Sequence, residues 1–420
     1  MGIGEWSGAH KAMTKLVLRT REQDTFENTL AWQIQDFRKI RPDIEIEVVA
    51  KPISAHQLEM VVQEGAKKGE GDLFLCCTDW LPEAYAKGLI VPLDGFDLPD
   101  DWPDGWHPAM QKLVYQEGDL IGIPWHDGPQ MFIYLKHIFE DPGHIAQFEA
   151  RYGWRLDIPK TWEQFRQVAE FFTHPENDEW GCICAGYTDG HNNVYDFLIQ
   201  LWSRGGVLLD DQSRPQFHGP AGVEGLSYLR DLYRDFMPAA ALQLGSVEAG
   251  DYFARGKVAM MWNWCGFAAV CEMPEYSNVV GKIGLAPLPA GTESVSLNIY
   301  WAMTITSGCA DKEAAWAFIK HISQPHCDKV TSMMGANGTR LSTWRDPEVR
   351  AKYPHYEIIE QIHGQTLTLP AIPEYTLVND CISGAVDAVL HRGMDPAEAL
   401  QAAADAATIH LEMSGRLQRN

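Results

Sequence analysis

The first 77 residues alternate between two hydrophobic periods, and that alternation limits the fold more than any other feature. KLVLRT (15–20) is a short apolar strand that ends in the polar loop REQDTFENT. Apolar positions at Phe26, Leu30, Ile34 and Phe37 recur at helical spacing, and Pro42 ends that helix. IEIEVVAKPI (44–53) alternates as a strand, a second helix is expected over 54–67, and DLFLCC (72–77) is apolar throughout, as a fully buried strand must be. Strand, helix, strand, helix, strand requires parallel pairing through right-handed crossovers, so the expected class is α/β. In such sheets functional side chains collect beyond the carboxyl ends of the strands. Three loops fall there: Arg21-Glu22-Gln23-Asp24, Thr78-Asp79-Trp80, and Trp125-His126-Asp127-Gly128 after LIGIP (120–124).

A chain of 420 residues is too long for one core, so two lobes are expected. Further helices are expected at 160–173, 192–204, 220–236 and 311–323, the last with Asp311 as a first-turn acid. KVAMMWNW (257–264) and NIYWAMTIT (298–306) are expected strands, and KIGLAPLPAG (282–291) has the Pro and Gly of a segment crossing between lobes. Asp and Glu outnumber Lys and Arg by 57 to 34, a formal charge of −23, which disfavours nucleic acid and anionic lipid as partners. No run reaches the ~18 apolar residues of a membrane span. GxGxxG, GxxxxGK[ST], HExxH and GxSxG are all absent, the histidines are dispersed, and the nine cysteines lack zinc-like spacing, so neither cofactor nor metal is expected. The cysteines read as small buried hydrophobes, with a Cys265–Cys271 bridge left open. MGIGEWSGAHKAM at the start has no basic segment followed by an apolar run, which points either to the cytoplasm or to a leader removed.

The order of several short segments resembles that of family 1 extracellular solute-binding proteins, the sugar-capturing subunits of ABC importers, similar to maltose-binding protein. DLFLCCTDWLPEAYAKGLIVPLDGF (72–96) resembles the family's Asp-aromatic segment. GDLIGIPWHDGPQMFIYLKHIFED (118–141) resembles its G-x-x-Y-G-I-P and Y-N-K-x-x-F strands, with Leu135 in place of the usual Asn. IPKTWEQF (158–165), EAGDYFARGKVAMMWNW (248–264) and KIGLAPLPAG continue the likeness, which extends from about residue 15 to 412. The resemblance implies a two-lobed periplasmic-binding-protein type II fold with hinge strands. Lobe one would hold 14–127 plus 285–325, and lobe two 128–284 plus 326–420. It also implies a monomer that works with membrane permease subunits, binds a small carbohydrate-like ligand in the central cleft, catalyses nothing, and acts outside the cytoplasmic membrane.

Sugars offer apolar C–H faces to aromatic rings and hydroxyl rims to amides, carboxylates and guanidinium groups. Candidate contacts at the loops are Glu22, Gln23, Asp79, Trp80, Trp125, His126 and Asp127, of which Asp79 equally suits a helix cap and Asp127 a turn cap. Trp262, Asn263 and Trp264 form the aromatic end of a buried strand, with one of the two indoles expected to face the cleft and Gly266 turning the chain beside it. Trp301 is expected to face the cleft, opposite in the pleat to Asn298 and Tyr300. Arg340 matches a family loop; it either enters the cleft and binds an anionic ligand group or pairs with Asp346 at the surface. Asn192 or Asn193 is expected to cap the helix that follows, with His191 and Asp189 as lesser contacts. Two alternatives share these residues: a glycoside hydrolase using two of Glu22, Asp79 and Asp127, and a cytoplasmic ligand sensor that keeps the fold.

Overall fold

A computed structural model describes residues 13–418; the amino-terminal stretch read for a leader lies almost wholly outside them. The strand expected first runs Thr14–Arg21 and pairs in parallel with both Ile44–Lys51 and Leu73–Cys77. Asp24–Ile40 crosses between the first two. Asp24 and Glu27 in its first turn and Arg38 and Lys39 in its last complement the helix dipole, and its Phe26, Leu30 and Phe37 enter the core. All five residues of Leu73–Cys77 are buried, as a central strand covered on both faces requires. Trp301–Ile305, antiparallel to both its neighbours, and Ile123–His126 beyond it complete this sheet, giving the order Ile44–Lys51, Thr14–Arg21, Leu73–Cys77, Trp301–Ile305, Ile123–His126.

The second sheet has the order Ile283–Ala286, Gln130–Leu135, Val258–Trp264, Trp180–Ile183. The segment expected to cross between lobes, KIGLAPLPAG, thus begins as an edge strand, antiparallel to Gln130–Leu135. The chain passes from the first sheet to the second through Asp127-Gly128-Pro129 and returns through residues 287–300. These two passages touch at a bridge between Pro129 and Asn298, and Ser296–Leu297 pairs in parallel with Thr366–Leu367. The molecule is a two-lobed α/β fold with three chain segments at the waist.

Two stretches pack otherwise than the expected lobe bounds: residues 285–286 belong to the edge strand of the second sheet, and residues 326–344 pack with the first. Pro325–Met333 packs on Asp24–Ile40, with Gln33 donating to Thr331 at 3.0 Å, and Trp106 donates to Thr339 at 3.0 Å. Residues 326–344 therefore lie against the first sheet's helices, because their buried polar groups find partners there. Only later does the chain join the second lobe, where Tyr375–Arg392 and Pro396–Met413 cover Asn192–Ser203 and Pro220–Asp235.

Candidate ligand-binding cleft

Between the two sheets lies a cavity of about 800 Å³, its open mouth included. Its first wall is the carboxyl edge of the first sheet: Arg21, Cys77 and His126 at the ends of strands that run the same way, and Trp301, at the start of the strand that runs against them, opposite both Cys77 and His126 in register. Gln23 and Thr25 join from the start of the following helix. Its second wall comes from Trp264 at the end of Val258–Trp264, from Ser246 and Val247 opening the helix Ser246–Ala254, from Phe267, and from His191, Asn192 and Tyr195 around the start of Asn192–Ser203. Two indoles and several polar groups thus face one another across the gap.

His126 accepts a bond from the Asn337 backbone N–H on Nδ1 at 3.0 Å, which places the ring proton on Nε2. Burial, helped by the nearby Arg21 cation, lowers its pKa to about 3, so the ring stays neutral and keeps that N–H as a donor. Trp264 donates to Asn192 Oδ1 at 2.8 Å and meets Tyr195 edge-on at 5.7 Å, which fixes the indole plane. Trp301 is held edge-on by Trp80 at 5.4 Å and Phe26 at 6.0 Å. Gly266 also lines the cavity; a Cβ there would meet Asn337 Nδ2 at 3.2 Å, so the position is tight from the protein side as well.

Of the twelve expected contacts, the cavity gathers Gln23, His126, Trp264 and Trp301. The other eight lie elsewhere. Glu22 is exposed, and its backbone N–H donates to Lys51 at the sheet edge. Trp80 is buried behind Trp301. Trp125 points the other way from His126, as pleat alternation demands, and donates to Gln33 at 3.0 Å. Trp262 donates to Asp196 at 2.9 Å and packs on Trp162 and Phe165 in the core; Asn263 ties Ser246 to the strand and accepts from the Trp264 N–H. Arg340 is 2 % exposed, lies 4.2 Å over the Trp106 ring, and pairs with Asp101 rather than Asp346, whose partner is Lys329.

Of the three carboxylates expected at the cleft, Asp127 and Asp79 are committed within the protein. Asp127 is fully buried against His363 Nε2 at 2.8 and 3.0 Å. Asp79 caps no helix; it accepts from Tyr195 at 2.5 Å and lies 3.7 Å from His191, joining the two lobes. Burial favours the neutral form of both partners, but their mutual bond outweighs it: the His191 pKa is raised and the Asp79 pKa lowered. No Asn caps Asn192–Ser203; Asp189 does so instead, accepting from the His191 and Asn192 N–H groups at 2.8 Å. With no carboxylate among the residues lining the cavity, a carboxylate-pair hydrolase is not favoured there. All nine cysteines are free, so Cys265 and Cys271 form no bridge.

His191, a lesser expected contact, lines the cavity, as do Asn192, expected only as a cap, and Arg21, Tyr195 and Ser246, which were not expected as contacts. Arg21 had a signal, since it ends the first strand in a loop already singled out; Tyr195 and Ser246 carry none, because their place depends on how the second lobe packs.

This architecture, two α/β lobes with a polar and aromatic cleft at the waist, is that of a solute-binding protein. The chain belongs to the bacterial extracellular solute-binding protein family, which it matches over residues 21–325. It is 23% identical over 374 residues to the maltotriose-binding protein of Pyrococcus abyssi, covering 85% of this chain and 73% of that one. Among solved structures it resembles maltose-bound MalE3 of T. maritima, with a TM-score of 0.82, 23% identity and coverage of 94% and 99%. It also resembles an ABC transporter solute-binding protein of Agrobacterium vitis S4 with bound D-mannitol, with a TM-score of 0.83, 19% identity and coverage of 96% and 99%.

Proposed function

We propose that the protein captures a sugar- or polyol-like solute in this cleft and delivers it to the permease subunits of an ABC importer, working as a monomer outside the cytoplasmic membrane. The observation that carries the reading is the pairing of Trp264 and Trp301 from opposite lobes, with His126, Gln23 and Asn192 between them, in one cavity. Indoles cover the C–H face of such a solute, and the polar groups meet its hydroxyls. The relatives named for maltotriose, maltose and mannitol support a polyhydroxylated ligand. We assign the sheet that starts at Thr14 and its helices to one moving lobe and the sheet that starts at Gln130 to the other. The waist segments 127–129, 296–298 and 366–367 act as the hinge, and the Asp79–Tyr195 bond is a latch of the closed form.

Thermal-shift screening against monosaccharides, oligosaccharides, polyols and sugar acids tests this. A true ligand at ~100-fold excess over its Kd stabilises by about 2.7 kcal/mol, and Trp264→Ala should cut the shift to about half or less. If no polyhydroxylated compound shifts melting, the reading fails.

A further inference from the structure

The cleft has a charge unlike that of the rest of the molecule. The chain carries 57 Asp and Glu, yet none of the described ones lines the cavity, whereas Arg21 does. The Arg21 guanidinium lies 5.6 Å from the Trp301 ring centroid and 5.9 Å from that of Phe26, contacts that hold a cation without neutralising it. Its Nε is buried with no hydrogen-bond partner, and no carboxylate of the described residues forms an ion pair with it. The two acids near the cleft are already engaged, Asp79 by Tyr195 and Asp189 by backbone N–H groups. The helix Ser246–Ala254 adds its positive end to the same wall without a side-chain cap. Arg21 is half-buried; a charge partly withdrawn from water and left unpaired is costly, and a guanidinium cannot shed its proton to avoid that cost.

We propose that the ligand supplies the missing anion: a polyhydroxylated acid, an aldonate or uronate, whose carboxylate meets Arg21 while its carbon face lies against Trp264 or Trp301. One fixed cation matches one carboxylate, and a guanidinium binds it through two parallel bonds. A phosphate would bring nearly twice the charge to a single arginine inside an acidic protein. The proposal rests on the cleft being the solute site.

Calorimetry on the purified protein separates the two. D-gluconate and D-galacturonate are each compared with their neutral counterparts, D-sorbitol and D-galactose, and with D-galactose 1-phosphate. The acids should bind about 100-fold more tightly than the neutral partners, Arg21→Gln should remove that advantage, and Arg21→Lys should keep part of it. Neutral sugars binding as tightly as the acids would overturn the anion assignment and leave the solute-binding reading intact. Tighter binding of the phosphate would replace the carboxylate, and an unchanged preference in a folded Arg21→Gln would remove Arg21 from the site. No binding of either acid by the wild type would overturn the anion assignment, while the solute-binding reading stands or falls with the thermal-shift screen.

A second, independent feature lies outside the cleft. Three helices, Asp24–Ile40, Lys312–Ile322 and Pro325–Met333, bring Asp36, His321, His326 and Cys327 together with one donor atom each, all within 4.8 Å of one another. Asp36 Oδ2 lies 3.1 Å from His321 Nε2 and 3.2 Å from His326 Nε2, and Cys327 Sγ lies 3.3 Å from His326 Nε2. Zinc bonds of about 2.0–2.3 Å at tetrahedral angles put ligand atoms roughly 3.3–3.6 Å apart, so three of these edges are already near that length. We infer that this N2SO cluster binds a divalent transition-metal ion, zinc by its donor set, with the Cys327 proton released to solvent as the thiolate bonds the metal. Cobalt(II) titrated into the full chain should give tetrahedral d–d bands and a thiolate charge-transfer band. Cys327→Ser should erase the latter, and His326→Gln, at an exposed position, should weaken zinc binding at least tenfold in chelator competition. Absence of the cobalt bands, or zinc affinity unchanged in both variants, would overturn the site.

Discussion

Among the described residues two arginines lie over tryptophan rings, and they differ in what surrounds them. Arg340 lies over Trp106, donates to the Ser323 carbonyl at 2.7 Å and pairs with Asp101. Arg21 lies over Trp301 with no such acid and lines the cleft. The sequence pointed to Arg340 as a possible ligand contact, and the structure gives that place to Arg21. The difference teaches that a guanidinium with its acceptors supplied by the chain is part of the architecture, whereas one without them is an unfilled half of an interaction.

The contrast makes opposite demands on the two positions. Arg340→Ala should cost about 3 kcal/mol of stability in urea unfolding, because it strands buried acceptors and removes the cover of Trp106, while the affinity of the folded fraction stays the same. Arg21→Gln, which removes a charge that has no partner, should leave the fold at least as stable as before; a loss as large as that of Arg340→Ala would contradict the contrast. Next in size, Trp264→Ala should weaken ligand binding about 10- to 100-fold with little change in Tm, since this indole is half-buried at the strand end. A loss of folding instead of affinity would make Trp264 a core residue like Trp262.

A smaller effect concerns the latch between lobes. Because the His191 pKa is raised above its usual 6.5, the contribution of its contact with Asp79 is fully present below that value and is lost as pH rises through the raised one. Because the Asp79 pKa is lowered, its contribution is present above 3.8 and is lost as pH falls through the depressed one. Melting followed from pH 4 to pH 9 should therefore show a His191-dependent decline on the alkaline side that His191→Gln removes. The smallest expected effect is none at all: reductant should not move Tm, and the denatured chain should titrate all nine thiols. A missing pair of thiols would contradict the free cysteines.

The fold was legible because its determinants are local. Period-two and period-3.6 patterns over the first 77 residues dictated parallel strands, and the strand and helix positions along the chain followed. The cleft was legible only in part. Strand ends marked the right loops, and alternation explains why His126 faces the cavity while its neighbour Trp125 reaches Gln33. Alternation could not separate Trp262 from Trp264, which share a face; depth in the sheet decides, and Phe165 and Trp162 close over the first. Asp127 and Arg340 sit in loops that look exposed in sequence, and only His363 and Asp101, distant along the chain, show them to be engaged. The metal cluster was illegible for the same reason, since Asp36 and His321 meet only through helix packing.

Arg21, Trp264 and Trp301 together enclose the proposed ligand. A crystal structure of the protein with the compound that raises its Tm most should show an anionic group within hydrogen-bond distance of Arg21 and a carbon face against Trp264 or Trp301. A ligand seated away from Arg21, or one whose only charge partner is another residue, would contradict this placement.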